Sequence, residues 1–153
     1  MRPMSPLLLT LMTVYLCIQL LVPFRHFLYQ GNVSWTEKGH RFAWHMKLRD
    51  KEANANFFVI ANGETSGVNL NSYLTPRQIR KMSTRPDMIV QFAHHLEEQY
   101  KAQGFEDVEV RAEVKASLNG RVKSDLIDPN VNLLTIGTDK EPKQWIPPYR
   151  DQY

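Results

Sequence analysis

Twenty-two consecutive uncharged residues between Arg2 and Arg25 constrain this chain more than any other feature. Within them Leu7 to Val22 (LLLTLMTVYLCIQLLV) is apolar at 13 of 16 positions, the exceptions being Thr10, Thr13 and Gln19. As a helix from Met4 to Phe24 the stretch measures about 30 Å at about 1.5 Å per residue, the thickness of a bilayer's hydrocarbon core. A cleaved signal peptide shares the short basic start and apolar core, and a buried core helix is a third reading. Here, however, the core is long, and Pro23-Phe24-Arg25-His26 follows it where a signal peptide would have a small-x-small cleavage site. The span is therefore predicted to cross a membrane, dividing the chain into a transmembrane helix over 1–25 and a body over 26–153. With one arginine on either side, the positive-inside rule does not orient it.

The body has the material for one core and little else. The chain has 153 residues, 42% of them apolar and 10% aromatic, with 7 Gly and 9 Pro, which excludes a low-complexity segment. No carboxylate precedes Glu37, so residues 23–153 hold 18 basic and 16 acidic side chains, a net of +2. That mild excess argues against a nucleic-acid partner. The single cysteine, Cys17, lies in the apolar opening, which excludes an intrachain disulfide and a multi-cysteine zinc site.

Periodicity then predicts an α+β body, an antiparallel sheet of hairpins packed with one or two helices. Phe42, Trp44, Met46 and Leu48 alternate within Ser34 to Arg49, as in a half-buried strand, although Thr36-Glu37-Lys38-Gly39 equally suits a turn. Asn56 to Ala61 is a second strand closed by Asn62-Gly63, with Val68 to Leu70 returning beside it. Thr75-Pro76 and Pro86 each open a helix. In the second helix Ile89, Phe92, Ala93, Leu96 and Tyr100 share a face, and Gly104 ends it. Val108 to Leu118 alternates apolar and polar residues before Asn119-Gly120 and a returning run from Arg121 to Ile127. The last fifteen residues, with Trp145, Pro147, Pro148 and Tyr149, suit an extended strap.

Few residue patterns suggest chemistry. Glu37, His40 and His45 would make a metal group on a helix, but strand spacing sends them to alternate faces. His94-His95 lies mid-helix, His95 beside the apolar face and His94 toward water. The lysines stand in polar contexts, where solvated amines with ordinary pKa values are expected. Asn32-Val33-Ser34 is a glycosylation sequon only in a eukaryotic secretory pathway. The cluster Trp35, His40, Arg41, Phe42 and Trp44 has two readings. It is either a core strand with a polar edge, or a surface for an anionic peptide, because arginine forks fit carboxylates and aromatic rings supply rigid contact area.

The run QLLVPFRHFLYQGNVSWTEKGHRFAWHMKLRDK, from Gln19 to Lys51, resembles the junction where the last membrane helix of vitamin K-dependent gamma-glutamyl carboxylases enters the lumenal domain. The likeness continues through Leu70-Asn71, Arg85-Pro86-Asp87-Met88, Gln91-Phe92-Ala93, the hairpin, Ile127-Asp128-Pro129 and Trp145-Ile146, nearly the whole chain in order. Gln30 stands where bacterial relatives usually have Pro, Lys38 where Glu is common, and Ala43 where Ser is common. The resemblance implies a family that uses vitamin K hydroquinone, O2 and CO2, with a lysine in the membrane bundle as the base. The stretch matching Gly39 to Arg49 is associated there with the glutamate substrate.

By that resemblance Trp44 carries over as a substrate residue, His40 aligns with a position held by Tyr in animal members, and Trp35 is a structural residue. With Arg41 from the cationic cluster, His40 and Trp44 are the expected substrate-binding residues; no catalytic residue, metal or cofactor is assigned to this chain itself. The expectation is a single-pass, membrane-anchored lumenal or exoplasmic domain that faces a Glu-containing peptide. A separate transmembrane half would perform the lyase-class glutamate carboxylation. The alternative is a membrane-anchored protein that binds acidic peptides without catalysis.

Overall fold

The structure is a computed structural model and describes residues 5–29, 31–43, 49–137 and 145–149. Helix α1, Pro6–Leu21, begins at Ser5, whose hydroxyl accepts from Leu8 N, with Pro6 in the first turn where its missing N–H costs nothing. None of its residues is buried. It passes directly into a 3-10 segment, Val22–Leu28, in which Pro23 and His26 turn inward while Phe24, Phe27 and Leu28 stay exposed.

Where alternation suggested a strand from Ser34, the described part of that segment is a short helix and a turn. Helix α2, Val33–Thr36, forms because the Asn32 carboxamide oxygen accepts from Ser34 N at 2.9 Å. The same side chain that makes the sequon therefore caps a helix. Glu37, in the left-handed region at φ 63°, ends it. Residues 44–48, which carry the rest of that expected strand, lie outside the described residues.

The sheet is antiparallel, in the order β2-β1-β3-β4, with β1 at Lys51–Ala61, β2 at Glu64–Gly67, β3 at Val108–Leu118 and β4 at Ser124–Asp125. The chain is thus an α+β fold after an apolar N-terminal helix. Strand β1 starts five residues before the expected Asn56 and pairs with β3 along its whole length, from Lys51 opposite Leu118 to Ala61 opposite Val108. One face carries Ala53, Ala55, Phe57, Val59 and Ala61 against Val110, Ala112, Val114 and Ala116, large opposite small where Phe57 meets Ala112. The other face carries Glu52, Asn54 and Asn56 beside Glu113 and Lys115, so one side is dry and one wet.

Both Asn-Gly pairs turn as expected. Asn62 and Gly63 have φ of 51° and 81°, and Asn119 and Gly120 of 54° and 73°, the left-handed values a two-residue reversal requires. The first pair joins β1 to β2 over Glu64–Gly67, earlier than the expected Val68 to Leu70. The second leads, after Arg121 to Lys123, only to the two-residue β4; Leu126 N still donates to Val114 O at 2.7 Å, and the Leu126 and Ile127 side chains enter the core.

Helices α3, Pro76–Ser83, and α4, Pro86–Ala102, cover the dry face. Thr75 and Gln78 form a reciprocal capping box, Thr75 N donating to Gln78 Oε1 at 2.8 Å. Ile89, Phe92, Ala93 and Leu96 of α4 are buried, and the Phe92 ring meets Phe57 edge-on at 5.0 Å. Gly104, at φ 94°, follows the last turn as expected. The strap is seated where it is described: Trp145 and Ile146 are buried, Trp145 O accepts from Asp128 N, and Pro147 O accepts from Trp35 Nε1.

Candidate functional site

The strongest concentration of charge and backbone strain lies in the turn after α2. Within residues 37–42 three have positive φ: Glu37 at 63°, Gly39 at 72° and Phe42 at 61°. For Glu and Phe this region costs on the order of 1–3 kcal/mol each, a cost borne only where the surroundings impose it. Gly39 is imposed by space, since a Cβ there would lie 2.6 Å from Tyr29 Cδ2 and 2.9 Å from His26 Cα. The turn is therefore pressed onto the 3-10 segment that ends the apolar helix.

In the turn, one half-buried carboxylate gathers three cations. Glu37 Oε1 lies 2.6 Å from the Arg49 guanidinium and 3.8 Å from Lys51 Nζ, and Glu37 Oε2 lies 4.0 Å from Arg85 Nε. Lys51 is drawn in by strand parity, because it shares the dry face with Ala53 and Ala55 and its side chain ends beneath Trp35. Nζ donates to Trp35 O at 2.7 Å and lies 5.2 Å from the indole centroid. Burial pushes the Lys51 amine down to about 8, opposed by the Glu37 charge and reinforced by Arg49 and Arg85. This corrects the expectation that every lysine is solvated with an ordinary pKa.

In front of the turn is a groove of about 1100 Å³. Arg25, Lys38 and Arg41 supply its cations, helix α4 lines it with Asp87, Gln91, His94 and Glu98, and Trp145 and Ile146 reach it from the strap. Arg25 Nε is buried without a hydrogen-bond partner among the described residues. An unmet donor of this kind costs about 1–3 kcal/mol, which an incoming carboxylate oxygen would relieve.

The sequence matches the family model described as vitamin K-dependent gamma-carboxylase, lumenal domain, over residues 4–152. The chain belongs to this family. No solved structure matches it. The matched range includes the apolar helix as well as the sheet.

Of the residues expected to face a gamma-carboxylase substrate, the structure brings Arg41 to the groove, exposed. His40 is half-buried behind it. Its Nε2 lies 3.1 Å from Arg49 NH2, and because arginine only donates, Nε2 is the acceptor. His40 thus links the turn to the Glu37 cluster. Trp44 lies outside the described residues. Trp35 is buried, as a structural residue should be.

Sequence reasoning missed Arg25, Glu37 as an organising carboxylate, and Lys51. The signals were present in the absence of any carboxylate before Glu37 and in the parity of Lys51 with Phe57. His95 flanks the apolar face as expected, while His94 is less open to water than expected. His94 is the half-buried one, 3.4 Å from Glu97, while His95 is exposed with its ring against Phe92 and Tyr73. Lys101, hydrogen-bonded to Glu97 at 2.7 Å, holds that carboxyl below its usual range.

Lys51, the amine with the lowered pKa, is tied to Trp35 O and does not line the groove. The groove brings Arg25, Lys38 and Arg41 together with the carboxylates of Glu37, Asp87 and Glu98 and with apolar Val90, Leu134 and Ile136.

Proposed function

We propose that this gamma-carboxylase lumenal domain holds the acidic segment of a Glu-containing peptide in the groove beside the 37–42 turn. A membrane-embedded catalytic part supplies the vitamin K-dependent carboxylation. The observation that carries the reading is the convergence of Arg25, Lys38 and Arg41 on one groove beside a turn held in left-handed conformations. Arg41 presents its fork to solvent, and Arg25 offers an N–H without a partner. His40 acts one step back, by holding Arg49 and through it Glu37. The apolar segment Pro6–Leu28, whose 18-residue apolar window has a mean hydropathy of 2.2, serves as a single-pass anchor, with the body on the lumenal or exoplasmic side.

The test is titration of a Glu-rich peptide into the full chain, wild type, Arg41→Ala and Lys115→Ala. Loss of one charge-assisted hydrogen bond at Arg41 corresponds to about 1.5–3 kcal/mol, a roughly ten- to hundredfold weakening, with no change in melting temperature. Lys115 is an exposed cation on the wet face of β3 and should matter little. Equal losses in both variants would mean that the peptide is held by charge alone.

A further inference from the structure

We propose that Phe27, Leu28 and Phe42 form a lipid-facing seat that sinks the near end of the body into the interfacial layer of the bilayer. The inference rests on the reading of α1 as a membrane span. Outside α1, seven large apolar side chains are exposed among the described residues, and five of them, Phe24, Phe27, Leu28, Tyr29 and Phe42, sit at this one end. Scattered apolar residues need no explanation, but a cluster continuous with an apolar helix does.

Length points the same way. The sixteen residues of α1 measure about 24 Å at about 1.5 Å each, short of the roughly 30 Å hydrocarbon core. At about 2.0 Å per residue the 3-10 segment reaches that depth near Phe24, which leaves Phe27 and Leu28 at the interface.

Phe42 reaches the same level through the turn. It is 76% exposed and held at φ 61°, a conformation that a bulky side chain seldom adopts, yet it gains no burial within the protein. The Arg25 guanidinium lies 5.8 Å from its ring centroid. Gly39 seats the turn on Tyr29 and His26, so Phe42 cannot withdraw without disturbing the 3-10 segment. Aromatic rings with arginines beside them are the side chains that partition to the headgroup boundary. Arg25 and Arg41 thus serve the groove on one side and flank the lipid seat on the other.

The test is spin-label accessibility of the full chain in phosphatidylcholine–phosphatidylglycerol vesicles. A nitroxide is placed at Phe42→Cys, Leu28→Cys or Val122→Cys in a Cys17→Ser background, and at Cys17 itself in the wild type. Val122 is exposed in the loop between β3 and β4 and reports water. The expected result is raised collision with oxygen and lost collision with a water-soluble nickel chelate at positions 42 and 28, intermediate between Cys17 and Val122. Labels at 42 and 28 that match Val122 while Cys17 is deep would overturn the seat and leave the span intact. A Cys17 label open to nickel would overturn the span and the seat together. Spin–spin broadening at position 42 would show that a second copy covers this face, and would also overturn the proposal.

Discussion

The Lys51 ammonium donates to the carbonyl oxygen of Trp35 at 2.7 Å and packs under the same residue's indole, 5.2 Å from its centroid. That pair joins the start of the sheet to the capped helix before the strained turn. It buries a cation beside Glu37 and against the positive charges of Arg49 and Arg85.

The first prediction is a pH dependence of stability. The folded amine titrates near 8, below the ordinary 10.5, so between those values the unfolded chain binds more protons than the folded one and stability rises with pH. Below pH 8 both states are charged and the full cost of burial is present, on the order of 3 kcal/mol for a shift of this size. Lys51→Met should remove this rise. The check is the difference between wild-type and variant denaturant midpoints from pH 7 to 10.5; a constant difference would contradict the buried, strained cation.

Trp35 is 1% exposed, and its Nε1 donates to Pro147 O at 3.1 Å, with the Tyr149 ring 4.9 Å away. Trp35→Ala should cost about 3–5 kcal/mol through the cavity it leaves. Trp35→Phe keeps much of the packing but frees Pro147 O, and should cost about 1 kcal/mol. Thermal melts of both variants, with hydrogen exchange at Ile146, separate loss of core from loss of the strap.

How much of this was legible depended on whether a local signal coincided with burial. The Asn-Gly turns, the Thr75-Pro76 helix start and the α4 face are encoded within a few residues and appear where expected. Over 37–42 the turn that Thr36-Glu37-Lys38-Gly39 offered beside the strand reading wins over the alternation Phe42 continues, because Asn32 and Glu37 interrupt it and capping outranks a weak period of two. Lys51 was missed because Ala53 and Ala55 are poor strand formers, so β1 seemed to begin at Asn56; once the strand is extended, its parity alone brings the amine inside. The groove escaped because Arg25, Arg41 and Asp87 are distant in the chain and meet only through the Gly39 contact and the packing of α4.

The anchor makes its own prediction. Pro6–Leu28 exposes nearly every side chain of α1 to the surroundings, whereas the body buries its apolar residues in one core. Full-length protein in membranes should therefore resist alkaline carbonate extraction. Quantitative release would rule out the span.

A related expectation concerns chemistry. Lys51, the amine that burial pushes down to about 8, is held away from the groove by its bond to Trp35 O. The purified 153-residue chain, supplied with reduced vitamin K, O2 and a Glu-containing peptide, should incorporate no labelled CO2. Turnover above the no-protein control would show that the chain carries its own base.

The last prediction uses Gly39 to separate the turn from the fold. Adding a methyl group there would bring Cβ to 2.6 Å from Tyr29 Cδ2 and 2.9 Å from the His26 backbone, at a φ of 72°. The Tyr29 ring can yield but the His26 Cα cannot, so the turn must lift from the 3-10 segment. Gly39→Ala should cost about 1–3 kcal/mol, from left-handed strain together with the backbone clash. The sheet and α4 do not depend on that contact and should keep their circular dichroism. Peptide affinity should fall along with stability, because Arg41 and Arg25 face one groove only while the turn is docked. Binding of the Glu-rich peptide is therefore measured well below the melting temperature of the variant. Unchanged affinity in a destabilised Gly39→Ala chain would show that the turn does not shape the site.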